Sequence, residues 1–179
     1  AIIAFDPMSP ISSGALLGDR LRVDFNTVDE GVFYRSLARI GEDYTTLPSI
    51  LELVGGAGFD HVLVETVGAG QSDVAIREVV DKTAVVLVPG MGDAVQMDKA
   101  GILEIADVFI VNKADLGAVA ERSAAELEAS LGLGAARADG WAPPVLLTSA
   151  RDGIGIAEVL EKIEAHRRHL ETGGELATR

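Results

Sequence analysis

Cysteine is absent from the 179 residues. Neither a disulfide framework nor a thiolate metal site can be built, which fits a reducing, cytoplasmic setting. Aromatics are scarce at 4% although hydrophobic residues make up 48%, so the core must be assembled from Val, Ile, Leu and Ala. Positive charge is short as well: 15 Lys and Arg face 28 Asp and Glu, a formal charge of -13. A face that follows a nucleic-acid backbone has to be basic, so this balance argues against nucleic acid as a partner. There is no basic amphipathic segment for an anionic membrane surface. Apolar runs such as AVVLV fall far short of the ~20 residues that cross a bilayer. The opening stretch AIIAFDP has no basic n-region and reads as a strand, not a signal peptide. A chain that starts in mid-strand looks cut from something longer.

The length suits one well-buried domain. Ala1–Phe5 is an apolar run stopped by Asp6-Pro7. Met8–Gly18 reads as a Ser- and Gly-bearing loop, and Asp24–Glu30 as an acidic, exposed one. Val32–Ile40 places Val32, Phe33, Leu37 and Ile40 on an approximate helical face. Thr45 and Thr46 can cap a helix with Pro48 in its first turn and Leu47, Ile50, Leu51 and Val54 inward. His61–Glu65 and Thr83–Val88 show almost no alternation, as strands buried on both faces of a parallel sheet do, and Val108–Val111 is a third such strand. Ser72 can cap a helix through Val74, Ile76 and Val79, and Asp93–Glu104 and Ala118–Leu131 read as further helices. A strand at Pro144–Leu147 and an amphipathic helix at Ile156–Leu170 complete the pattern. Strands and helices alternate, the signature of an α/β fold with a mainly parallel sheet flanked by helices on both faces. In such folds the chemistry gathers at the carboxyl ends of the strands.

The informative residues fall at those ends. Glu65 and Thr66 close one strand and lead into Gly68, Gly70 and Gln71. An acid at a strand tip before a glycine-punctuated turn can present a carboxylate to a metal while the turn senses a phosphate. Asn112-Lys113-Ala114-Asp115 follows Val108–Val111. An Asp there can accept hydrogen bonds from N1–H and the exocyclic amine of guanine. Adenine offers an acceptor and no 2-amino group, and such polar matching can discriminate about 10⁴-fold. The Lys stem can lie along the base plane, and the Asn amide can brace neighbouring loops. An N-K-x-D run arises by chance in a chain this size about twice in a hundred. Thr148-Ser149-Ala150 follows the next strand, where a backbone N–H could reach guanine O6. His61 reads as flanking a strand, and His166 and His169 as lying on the solvated face or end of the last helix. Arg20 and Arg22 read as surface residues in preference to an arginine finger.

The stretches DPMSPISSGALLGDR (Asp6–Arg20), VETVGAGQS (Val64–Ser72), PGMGDAVQMDKAGILEIAD (Pro89–Asp107), NKAD (Asn112–Asp115) and SA (Ser149-Ala150) occur in the order found in MeaB/ArgK-type P-loop GTPases, which this chain resembles along its whole length. The resemblance implies a GTP-hydrolysing chaperone of adenosylcobalamin-dependent acyl-CoA mutases, chiefly methylmalonyl-CoA mutase, that gates cofactor loading and protects the mutase from damaged cofactor. It implies GTP/GDP and Mg²⁺ as cofactors, and homodimerisation through a helical extension after the G domain. That domain would occupy 1–170, with 171–179 the stub of the extension. Glu65 would be the Walker-B acid on Mg²⁺, joined in the metal shell by Asp6 and Asp19. Gly68 would sense the γ-phosphate, and Lys99, in a switch loop with Gln96 and Asp98, would assist hydrolysis. Asn112, Lys113, Asp115, Ser149 and Ala150 would hold guanine.

Met8, Met91 and Ala100 depart from the family's usual residues, the last within the loop that couples to the mutase. No G-x-x-x-x-G-K-[ST] occurs, although the family's phosphate loop rides on a central strand. Omitting that strand would forfeit about 8–15 kcal/mol of apolar burial, comparable with the whole stability of a domain. The expectation is therefore either a portion of a longer chain, with a glycine-rich loop ending in Lys-Ser or Lys-Thr within about 50 residues upstream, or another segment that fills the gap. Two rivals stand beside this reading. One is a nickel-delivering GTPase, which usually carries Cys/His motifs. The other is a nucleotide-independent module that binds a mutase by its switch surface.

Overall fold

The computed structural model describes residues 1–7, 31–39, 44–66, 71–90, 101–134 and 137–174. The chain divides into two compact units, Ala1–Ala75 and Ile76–Arg179.

In the first unit, β1 (Ile2–Pro7) lies between β2 (Tyr34–Arg39) and β3 (Leu63–Thr66), all parallel. The central strand is the most apolar of the three, and Ile3, Ala4 and Phe5 are all buried. Helix α1 (Leu47–Gly56) buries Leu47 and Val54, and its first turn contains the expected proline. Thr46 stands at its N-cap but makes no side-chain capping bond. The edge of the Phe5 ring meets Tyr44 just ahead of the helix, with centroids 5.5 Å apart.

Two expectations are corrected here. Val32–Ile40 is not helical. Residues 34–39 form β2, in register with β1 from Ile2↔Tyr34 to Pro7↔Arg39. Pairing along the free edge of β1 overrides a helical periodicity that rests on only four apolar positions. Nor is β3 buried on both faces: Leu63 is 62% exposed and Glu65 shares its face. Among the described residues it is an end strand of its sheet, and the face carrying Leu63 and Glu65 is the exposed one.

In the second unit, β5 (Val108–Val111) lies between β4 (Ala84–Leu87) and β6 (Val145–Leu147), again parallel. The segment from Gln71 to Glu78, expected to be a capped α-helix, is instead a 3-10 helix ahead of β4. Of the helix expected over Asp93–Glu104, residues 93–100 lie outside the described residues, and the described part is the short α2 (Ile102–Ile105). Strand β5 is buried as its sequence implies, with Val108, Phe109 and Val111 inaccessible. On β4 the expectation fails: Val86 is 61% exposed, and among the described residues β4 is likewise an end strand of its sheet. Helix α3 (Ala118–Leu133) buries Ala120, Ala124 and Leu127 on one stripe, and the last two pack with Phe109, Val111 and Val85. Helix α4 (Ile156–Gly173) buries His166 and Leu170 one turn apart, while Ile156 and Leu160 of its expected inward stripe are exposed. These elements give the expected parallel sheets flanked by helices.

The start of β5 is fixed by a buried acid. Asp107 is 1% exposed, and its Oδ2 accepts the Thr83 amide at 2.9 Å. Arg137 and Arg77 reach its Oδ1 at 3.1 and 3.4 Å, and each also donates to a backbone carbonyl, Ala106 and Ile105 respectively. The Trp141 indole N–H donates to the Asp107 carbonyl at 2.8 Å, and its ring lies 4.8 Å from His166 and 5.3 Å from His169. His166 is fully buried with Nε2 3.5 Å from Asp107 Oδ1, and His169 bonds the Asp139 carbonyl at 2.8 Å. The solvated position expected for His166 is therefore corrected, whereas His169 is half-buried near the C-terminal end of the helix, within the expectation. The Asp107 carboxylate and the Trp141 ring, far from it in sequence, are what the buried imidazole meets. Replacing Asp107 with Ala leaves the Thr83 amide without its acceptor and takes from Arg77 and Arg137 their shared carboxylate, while their bonds to the Ile105 and Ala106 carbonyls remain. A loss of about 3 kcal/mol is expected, the low end for a broken buried pair because both arginines still touch solvent. The measurement is a shift in urea midpoint at unchanged slope.

Candidate functional site

The carboxyl end of β5 turns sharply. Asn112 leaves the strand with its N–H donating to the Leu87 carbonyl at 2.9 Å, and Lys113 follows at φ 63°. Among the described residues Lys113 is alone in having positive φ without being glycine. Such a conformation is uncommon for a side-chain-bearing residue and persists only where the surroundings impose it. Here the imposition is visible: the next amide, Ala114 N–H, donates to the Thr148 carbonyl at 2.8 Å, and Leu116 N–H closes a 3-10 turn onto Lys113 at 3.0 Å. The turn carries Asp115 to the head of α3 and leaves Lys113 exposed.

The loop after β6 meets this turn. Thr148 and Ser149 are buried, while Ala150 is exposed. Asn112 Oδ1 accepts the Ala150 amide at 3.0 Å and the Thr148 hydroxyl at 3.3 Å, so the Asn side chain does brace the two loops. Ser149 and Ile154 exchange backbone hydrogen bonds of 3.0 and 3.1 Å, which closes residues 149–154 into a tight loop. Gly155 then starts α4 at φ 76°, and a Cβ there would run into the Leu147 carbonyl oxygen and lie 3.2 Å from Thr148 Cγ2. The helix can follow the strand this closely only through a glycine.

Charge is concentrated in the loop. The Ser149 hydroxyl lies 2.9 Å from Asp152 Oδ2 and 3.1 Å from Asp115 Oδ1, and its single hydrogen serves one of them at a time. Arg151 spans the same two acids. Its Nε and Nη2 donate to Asp152 at 3.1 and 3.2 Å, and its Nη1 lies 3.3 Å from Asp115 Oδ2. The hydrogen bond from Arg151, followed by that from Ser149, holds the Asp152 carboxyl below the usual carboxylate range. Asp152 in turn, then Asp115, raises the guanidinium above its ordinary value. Asp115 has a side chain 20% exposed, partly sheltered and still open to a ligand.

Asn112, Lys113, Asp115, Ser149 and Ala150 are thus brought together on two adjoining loops. Arg151, Asp152 and Gly155 belong to the same cluster and were not singled out from sequence. The pair Gly153 and Gly155 directly before a helical pattern was the available signal. In the other unit Glu65 stands at the end of β3, exposed and in register with Ala4 of β1, and Asp6 lies two residues beyond Ala4 on that strand. Asp19, Gly68 and Lys99 lie outside the described residues, as do Arg20, Arg22, Gln96 and Asp98.

A family model described as the methylmalonyl Co-A mutase-associated GTPase MeaB matches residues 1–179. A putative GTPase of Pyrococcus horikoshii is 42% identical over 98% of this chain and 57% of its own length. The mouse protein named methylmalonic aciduria type A homolog, mitochondrial, is 35% identical over 100% of this chain and 44% of its own. Among solved structures, that of an LAO/AO transport system kinase superposes with a TM-score of 0.75 at 24% identity, covering 99% of this chain and 52% of the other. The chain spans about half the length of the curated relatives it matches.

Two outcomes follow from the loop geometry. Gly155→Ala is expected to destabilise the protein by more than ~1 kcal/mol, since the new residue meets both an unfavourable φ and a carbonyl in its way. A lowered thermal midpoint, with amide shifts concentrated at 147–155, would show it. Stabilisation from the lowered Asp152 carboxyl is present above the ordinary Asp pKa of ~3.9 and is lost as pH falls through the depressed value. Carboxyl ¹³C titration should find Asp152 ionising below an unstructured Asp, and Arg151→Ala should move it back up.

Proposed function

We propose, from the premise that the chain belongs to the MeaB family of methylmalonyl Co-A mutase-associated GTPases, that it binds GTP and GDP through the β5 and β6 loops and hydrolyses GTP with Mg²⁺. The observation that carries this reading is the position of Asp115, set by a forced turn and flanked by the Ser149-Ala150 loop. In this reading Asp115 accepts from the guanine N1–H and 2-amino group, and Lys113 lies along the base. Asn112 keeps the two loops at a fixed spacing. The Ala150 amide, held by Asn112, shares its hydrogen with guanine O6 or transfers to it.

Glu65, exposed near the end of β3, and Asp6, a residue of the neighbouring strand β1, would be the carboxylates for Mg²⁺, which usually takes one or two together with phosphate and water. When bound, the ion would neutralise charge on the transferring phosphoryl group. Asp19 would complete the acidic shell, Gly68 would sense the γ-phosphate, and Lys99 would steady charge during hydrolysis. No G-x-x-x-x-G-K-[ST] occurs among these 179 residues, so the residues named here are proposed for the base, the metal and the hydrolytic step and none for the phosphate-cradling loop.

The partner in this reading is an adenosylcobalamin-dependent acyl-CoA mutase of the methylmalonyl-CoA type, in keeping with the family's description. The nucleotide state would gate cobalamin loading and protection, in a cytoplasmic homodimer. Among the described residues no helix is long and apolar enough to cross a membrane.

Asp115→Asn reverses one hydrogen-bonding group at the base edge. Guanine nucleotide affinity should fall about 10²-fold or more, with a gain for xanthine nucleotides, which carry an oxygen at C2. Calorimetry on the intact protein reads this directly. Hydrolysis assayed with GTP, Mg²⁺ and the mutase tests the rest: turnover stimulated by the mutase supports an enzyme, whereas complex formation without turnover would leave only an interaction module.

A further inference from the structure

We propose that Arg151 is the chain's own substitute for the base: without a purine its guanidinium holds Asp115, and an arriving guanine edge displaces it onto Asp152. The inference rests on the assignment of Asp115 as the base-reading carboxylate and describes how that same site is regulated.

Three observations converge on it. First, the guanidinium bridges both acids, 3.3 Å from Asp115 Oδ2 through Nη1 and 3.1–3.2 Å from Asp152 through Nε and Nη2. Second, the side chain is 73% exposed, so nothing packed around it resists a swing between the two. Third, the other group placed for base recognition is also occupied from within, since the Ala150 amide donates to Asn112 Oδ1 at 3.0 Å. The Asp115 carboxylate and the Ala150 amide are thus both engaged from within.

The chemistry explains why an arginine suits the task. The N1–H and 2-amino edge of guanine is itself a guanidine pattern, two parallel donors on a planar frame. Arg151 therefore offers Asp115 the same kind of group that the base does. Guanine replaces like with like, and the displaced arginine keeps a two-point contact with Asp152, whose own position is secured by Ser149. Adenine must evict the same ion pair and returns no donor to the carboxylate. Because both bases must evict it, Arg151 weakens the two alike, and the discrimination between them stays with Asp115 itself.

The test is binding of GDP, ADP and neutral guanosine to the intact protein and its variants, with guanosine removing any long-range attraction to the phosphates. Arg151→Ala should bind guanosine and GDP roughly two- to fivefold more tightly, the range of a lost exposed ion pair. The preference for GDP over ADP should stay as it is, since both bases displace the same pair. Guanosine affinity of the unaltered protein should rise with salt as the pair is screened, and that of Arg151→Ala should not. Asp152→Asn, which removes the alternative carboxylate, should weaken guanosine binding, and the double variant should return it toward Arg151→Ala. Weaker or unchanged binding in Arg151→Ala overturns the proposal, the former because the arginine would then hold the base itself. If instead Asp115→Asn leaves guanine binding intact, it is the base-reading assignment that fails.

Discussion

Strand β5 carries only aliphatic and aromatic side chains, Val108 to Val111, and three of the four are buried. A strand covered on both faces has no room for a polar side chain along its length, so polar work is pushed to its ends. At the amino end Asp107 ties the strand to Thr83, Arg77, Arg137 and Trp141. At the carboxyl end Asn112 and Asp115 emerge into two loops. The rest of the unit is arranged around these two ends. Helices α3 and α4 supply the cover, and the loop before each contributes to the carboxyl-end cluster.

The ends differ in what their electrostatics permit. Asp107 is sealed and bonded to groups drawn from four separate segments, so its charge is committed to structure. Asp115 is met by an exposed arginine at 3.3 Å and a serine hydroxyl shared with another acid. Contacts of that exposed kind are worth little and exchange readily. A rigid floor below replaceable partners is what a ligand-reading carboxylate needs. The left-handed Lys113 and the glycine at 155 are part of that floor, because both exist to bring the β5 and β6 loops into contact.

The family relation rests on the whole chain, whereas particular roles rest on particular loops. The N-K-A-D and S-A segments come together through Asn112, Asp115 and Ser149 as a base site would require. Glu65 and Asp6 stand at adjacent strand ends of a different unit. Proposals about phosphate, metal and mutase draw on that unit and on the family's description, while the base-reading proposal draws on side-chain geometry.

The sequence alone was enough for the α/β class, for β1, β5 and β6, for α1, α3 and α4, and for picking out the two segments, Asn112–Asp115 and Thr148–Ala150, that the fold brings together, because these depend on local signals. Uninterrupted apolar runs make buried strands, a proline after threonine marks a first turn, and N-K-x-D is read as a word. What it could not supply was anything fixed by neighbours distant along the chain. Residues 34–39 became a strand because β1 offered an edge. His166 went inside because Asp107 and Trp141, 59 and 25 positions earlier in the numbering, built a place for it. Arg151 and Asp152 acquired meaning only when the β6 loop was laid against the β5 turn. Short-range pattern determines which elements form. Which charges meet is a matter of tertiary contact, since Coulomb and hydrogen-bond energies depend on separation in space and are indifferent to separation in sequence.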